Sequence, residues 1–156
     1  MNRKSMYIFL DIDGVLNSKK QWITNYALDD ECIKNFCAFV RDVNGKIILA
    51  SSWRKGWAGR NNPGNLPQIN NLEKKLAKEG CGIYGKTESL PGNNRDKEIL
   101  QYLEKYPNEQ YIIVDDDISE FSKESSKTIT SRIYLTDPEN GFSKNDITAA
   151  KRKCLL

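Results

Sequence analysis

The sequence predicts an α/β fold: one doubly wound domain over residues 1–156, with a central parallel five-stranded sheet flanked by helices. Three observations predict it. The 156 residues are the length of one domain, with no room for a second catalytic domain or a large lid. Hydrophobic residues at 38% and charged residues at 29% supply enough apolar side chain to pack a core. Short apolar runs then alternate with segments of helical periodicity, the order that builds a parallel sheet through right-handed crossovers.

The first run, Met6–Leu10, stops at Asp11. A helix is expected over 29–43, where Ile33, Phe36, Cys37 and Val40 share one face behind a cap at Asp29 or Asp30 and ahead of Asn44-Gly45. A second strand follows at 46–50. Residues 55–67 hold Gly56, Gly59, Pro63, Gly64 and Pro67 and read as a loop, and a loop this long in so small a chain points to function. A helix at 68–78 carries Ile69, Leu72 and Leu76, and a strand at 81–84 comes next. Ile99, Leu100 and Leu103 mark a helix over 96–105, before strands at 111–114 and 132–135. The last helix opens at Ser143, where Ser143-Lys-Asn-Asp146 resembles a capping box, and Lys151, Arg152 and Lys153 complement the dipole at its other end.

Composition narrows the chemistry. Basic residues number 24 and acidic residues 21, a net charge of +3 that permits an anionic substrate without marking a nucleic-acid binder. The absence of histidine excludes Ser-His-Asp and Cys-His triads and the mixed zinc sites. Catalysis has to run on carboxylates, hydroxyls, lysine, arginine or a metal. Cys32, Cys37, Cys81 and Cys154 lack C-x-x-C spacing and read as small apolar residues in a reduced compartment. The first apolar run is shorter than the ~7–15 residues of an export-signal core, and no stretch nears the ~20 residues of a membrane span. A cytoplasmic monomer with no membrane partner is expected.

Ligands of an open α/β sheet bind outside the carboxyl ends of its strands. Those ends read Asp11-Ile12-Asp13-Gly14, Ser51-Ser52-Trp53-Arg54 and Asp115-Asp116-Asp117, with Arg95 and Lys97 at the start of the helix leading to the fourth strand. Aspartates gathered on one rim raise each other's pKa unless a cation intervenes. A hard divalent ion with oxygen ligands meets that need, and Mg²⁺ suits a site that also binds phosphate. Gly14 lets the chain turn so that Asp13 swings over a ligand held at Asp11, which suits a nucleophile paired with a general acid. A calcium loop fits poorly, because its required glycine falls on Leu16. Asp117 or Ser119 is expected to cap the following helix. Ser51 and Ser52 each offer a hydroxyl beside strand-to-helix N–H groups, and Arg95 or Lys97 stands where it can meet a ligand's negative charge.

In this order, Ile-Phe-Leu-Asp11-Ile-Asp13-Gly14, Ala-Ser51-Ser52-Trp53-Arg54, Arg95-Asp-Lys97-Glu-Ile and Ile-Val-Asp115-Asp116-Asp117 resemble the haloacid dehalogenase (HAD) superfamily of phosphohydrolases and phosphotransferases. Together with Thr136-Asp137-Pro138-x-x-Gly141-Phe142 they look like the small HAD domains of RNA-repair proteins. The resemblance implies a HAD-like Rossmannoid fold with no large cap domain, since only residues 18–28 separate the first motif from its helix. It implies that Asp11 attacks phosphorus to form an aspartyl-phosphate, and that Asp13 protonates the leaving oxygen and later activates water. Ser51, or else Ser52, would hydrogen-bond the phosphoryl group, and Arg95, or else Lys97, would offset charge near Asp11. Mg²⁺ would be held by Asp11, by Asp13 through its backbone carbonyl, and by Asp116 with Asp115 beside it. Ser52, Arg54 and Lys97 are the expected substrate contacts.

An open site admits bulky phosphorylated substrates, RNA or DNA ends among them. Trp53, Arg54, Lys55, Trp57 and Arg60 interleave aromatics with cations, a pattern that stacks bases and holds a single strand. The plainer reading is that one tryptophan packs into the core while the others cover the loop. Two rival functions are a noncatalytic metal-, RNA- or protein-binding module and a metal-dependent nuclease. A receiver domain would need its acceptor aspartate after the third strand, where Gly85 stands.

Overall fold

The computed structural model describes residues 4–92, 94–122 and 127–155. Its strands are β1 (Met6–Leu10), β2 (Gly45–Leu49), β3 (Ile83–Lys86), β4 (Tyr111–Asp115) and β5 (Ile133–Leu135). They form one parallel sheet in the order β3-β2-β1-β4-β5. The helices are α1 (Lys19–Trp22), α2 (Asp30–Asp42), α3 (Pro67–Lys78), α4 (Arg95–Lys105), α5 (Lys127–Thr130) and α6 (Lys144–Cys154). Among the described residues no helix is long and apolar enough to cross a membrane.

Alternation along each strand builds two cores, because successive side chains point to opposite faces. Ile8, Leu10, Ile47, Leu49, Ile112 and Val114 pack with α2 and α3 on one face. Tyr7, Phe9, Ile48 and Ile113 pack with Ile99 and Tyr102 of α4 on the other. Burying each such side chain is worth roughly 1.5–3 kcal/mol, so strands apolar on both faces belong in the centre. β1 and β4 are buried along their whole length.

The sheet order turns back between β1 and β4, and it is there that an α/β sheet leaves a crevice at its carboxyl edge.

Element bounds differ from expectation where caps intervene. The third strand begins at Ile83 instead of at 81, because Gly80 and Cys81 close α3. Gly80 takes φ +78° and donates to Ala77, while the Cys81 N–H reaches Leu76 O at 2.9 Å, a Schellman ending. Pro67 opens α3 instead of ending the loop, since a first-turn residue needs no N–H partner. The expected loop is also partly ordered: Ser52–Gly56 form a 3₁₀ turn capped by Ser51. Asp29 caps α2 as expected, accepting from Glu31 and Cys32 N–H groups.

Candidate active site

The end of β1 hands the chain to Asp11, whose N–H still pairs with Val114 O at 3.0 Å and so keeps the carboxylate beside the end of β4. β4 ends at Asp115, followed by Asp116. Oxygens from Asp11, Asp115 and Asp116 all lie within 4.8 Å of one another. Gly14 makes this approach possible. It takes φ +88°, and a Cβ there would stand 2.3 Å from Asp116 Oδ2, so only glycine leaves room for the acid.

Asp115 and Asp116 are not equivalent. Asp115 Oδ1 accepts the N–H groups of Asp116 and Asp117 at 2.8 and 3.1 Å, and its Oδ2 takes Arg95 at 2.6 Å. Asp116 is only half-buried, with its carboxylate over Gly14. Burial, helped by the charge of Asp115, raises Asp11 well above the usual carboxylate range, and Arg95 offsets only part of that rise. Burial likewise pushes Asp116 up to about 6. The cluster is short of positive charge.

Arg95 is the cation that reaches it. Its Nη1 lies 3.4 Å from Asp11 and 2.6 Å from Asp115, and its Nη2 lies 2.7 Å from Glu120. Burial alone would lower this guanidinium's pKa, but Asp115 and Asp11 outweigh it and hold the charge in place. Its Nε is buried with no partner among the described residues. Lys97 is exposed and does not line the cavity.

The second strand delivers its residues differently from one another. Ser51 is buried, and its Oγ accepts Trp53 N–H at 3.1 Å. Ser52 is exposed and lines the cavity. Arg54 also lines it, but its Nη1 is spent on Ala50 and Ser51 carbonyls and its Nη2 on Ser89 and Glu98. Arg54 thereby clamps the end of β2 to α4 at the cavity wall.

Trp53 is buried and gives its indole N–H to Asp13 Oδ2 at 3.2 Å. Trp57 and Arg60 face a second cavity near Lys46 and Tyr84, away from the acids. The five residues of that interleaved aromatic and cationic stretch are thus divided, and neither Trp53 nor Trp57 lines the acidic cavity. Asp117 accepts from Ser119 N–H and Oγ–H, so it closes a turn, and no helix of the described residues begins there.

Several contributors were given no role from the sequence. Asn17 is fully buried and donates to Asp13 Oδ1 at 3.0 Å, so both oxygens of Asp13 are anchored. Glu98 pairs with Arg54 at 3.1 Å. Thr136 Oγ1 donates to Gly14 O at 2.8 Å, and Phe142 N–H to Val15 O at 2.7 Å, so the late Thr-Asp-Pro-x-x-Gly-Phe stretch buttresses the Asp11 loop. The available signal was position: Asn17 follows the Asp11 motif closely, and Glu98 stands one helical turn after Arg95. The whole cavity has a volume of about 720 Å³.

The sequence model for the HAD domain in Swiss Army Knife RNA repair proteins matches residues 7–147. The chain belongs to that family. No curated protein matches it significantly. Membership makes it a capless HAD domain with activity of the phosphohydrolase type, and such domains typically use a divalent metal. The residues present fit one. Three carboxylates converge within 4.8 Å, their oxygens are hard donors, and burial raises Asp11 and Asp116 with Arg95 offsetting only part of the rise at Asp11, so a cation there would favour the ionised acids.

Proposed function

We propose that this HAD domain is a Mg²⁺-dependent phosphomonoesterase with an aspartate nucleophile. What supports the reading most is the convergence on one cavity of Asp11, a guanidinium 3.4 Å from it and an Asp13 carboxylate held at both oxygens. Phosphoryl transfer asks little of a protein beyond positioning and charge stabilisation.

Asp11 Oδ attacks phosphorus and the bond to the leaving oxygen breaks, while protonated Asp13 supplies the proton that leaves with the alcohol. The Asp13 carboxylate then takes a proton from water, the hydroxyl oxygen attacks phosphorus, and inorganic phosphate departs to restore Asp11. Arg95 offsets charge beside the nucleophile, and a hydroxyl from Ser51 or Ser52 meets the phosphoryl oxygens. Lys97, exposed outside the cavity, takes no part. Asp11, Asp116 and the Asp13 backbone carbonyl would hold the Mg²⁺, with Asp115 beside them spent on Arg95 and two N–H groups. The ion's chemistry there is to offset the negative charge of the phosphoryl group.

A wide cavity without a cap suits a bulky phosphate ester, and the RNA-repair setting of the family supports an RNA or DNA end. Four free thiols support a reducing compartment such as the cytoplasm. Replacing Asp11→Asn tests the reading. Hydrolysis of an aryl phosphate is expected to vanish while the circular dichroism spectrum is kept; normal turnover by the variant would refute the mechanism.

A further inference from the structure

The geometry points to a subsite for a nucleobase on the leaving-group side of Asp13, built by Trp22 and Tyr26; this rests on the phosphomonoesterase reading and names its substrate class. Both rings line the same cavity as Asp11 and Asp13. Their centroids lie 5.9 Å apart with planes 32° from parallel, and Tyr26 is 46% exposed. They are the only aromatic side chains on that wall among the described residues.

Asn17 ties this pair to the proton donor. Its Oδ1 accepts the Trp22 indole N–H at 3.0 Å and the Gly14 N–H at 2.9 Å. Its Nδ2 donates to Asp13 Oδ1 at 3.0 Å and to Tyr26 O at 3.3 Å. All four bonds an amide side chain can make are therefore spent on one junction. The segment also holds Asn25 and Tyr26 at φ +58° and +56°, a left-handed pair that costs free energy without glycine and persists where the surroundings enforce it. The outcome is an aromatic wall fixed beside the acid that must protonate a leaving oxygen.

Charge selects a nucleotide over a phosphotyrosine peptide. Lys55 lines the same cavity, is exposed, and makes no ion pair among the described residues. A strand end carries both a base to stack and a further phosphate for such a cation, whereas phosphotyrosine brings only the ring. Stacking on an aromatic face accepts any base.

The test compares kcat/KM for adenosine 5′-monophosphate, glycerol phosphate and phosphotyrosine in the wild type, Tyr26→Ala and Trp22→Leu, with adenosine binding to each measured by calorimetry. The wild type is expected to favour the nucleotide, and each variant to lose roughly tenfold of that preference and of adenosine affinity. An unchanged preference in both variants, or a preference for phosphotyrosine, overturns the subsite while leaving the phosphatase reading in place. If no phosphate ester is hydrolysed, adenosine binding decides alone: its loss in the variants sustains the subsite, and no binding to the wild type overturns it.

Discussion

Asp11 is buried against Asp115 and Asp116, and Arg95 is the single guanidinium within reach of Asp11 among the described residues. Removing one partner of a buried ion pair leaves the other uncompensated, at a cost of about 3–5 kcal/mol. Arg95→Ala is therefore expected to lose that much stability in chelator, measured by urea unfolding, and to regain part of it when Mg²⁺ is added. The raised acids set a second expectation. The unfolded chain releases these protons near pH ~4, whereas Asp116 in the fold keeps its proton to about 6. The native state thus binds more protons than the unfolded one across that window, and stability without metal falls as pH rises through it. Metal needs the ionised acids, so thermal stabilisation by Mg²⁺ should be small near pH ~5 and reach ~5 °C or more near pH ~7.5. An equal shift at both values would remove the cluster as the metal site. The acids, Ser51, Ser52 and Arg95 were all visible in the sequence, but the division of labour between neighbours was not. Nothing in an Asp-Asp-Asp run says that the first carboxylate is spent on two N–H groups and an arginine. Likewise, nothing in Ser-Ser-Trp-Arg says that the arginine turns back to the carbonyls of its own strand.

At the scale of elements, apolar periodicity located each strand and the main helices, and the errors fell at ends decided by caps. The third strand was misplaced because Cys81, apolar in sequence, serves as the last residue of a Schellman ending. The late Gly141-Phe142 stretch carried no visible role, because its work is done on a loop more than a hundred residues away in sequence. Gly141 sits at φ +69°, and a Cβ there would meet Cys32 Sγ at 2.6 Å, Asn17 O at 2.8 Å and Val15 O at 3.1 Å. Gly141→Ala combines backbone strain with displacement of the Asn17 loop. It should cost more than ~1 kcal/mol and lower kcat, because Asn17 anchors Asp13. A variant with wild-type melting and turnover would show that the late stretch does not support the site.

Across the whole molecule, the sheet order explains why so few elements suffice. β1 and β4 are paired neighbours at the point where the strand order reverses, and the carboxyl edge there receives Asp11, Asp115 and Asp116 without a second domain. The five-stranded doubly wound architecture was legible because four of the five runs of apolar residues were followed by a helical face. The aromatic wall of Trp22 and Tyr26 was not, because the position of the pair beside Asp13 depends on the buried Asn17, which bonds the Trp22 indole and the Tyr26 carbonyl. The central claim is that Asp11 becomes covalently phosphorylated. Acid-quenching a reaction with ³²P-labelled substrate in the first turnover, followed by peptide mapping, tests it directly. Acid-stable, hydroxylamine-sensitive label on the peptide carrying Asp11 is the predicted result, and phosphate release with no label on that peptide at any time would contradict it.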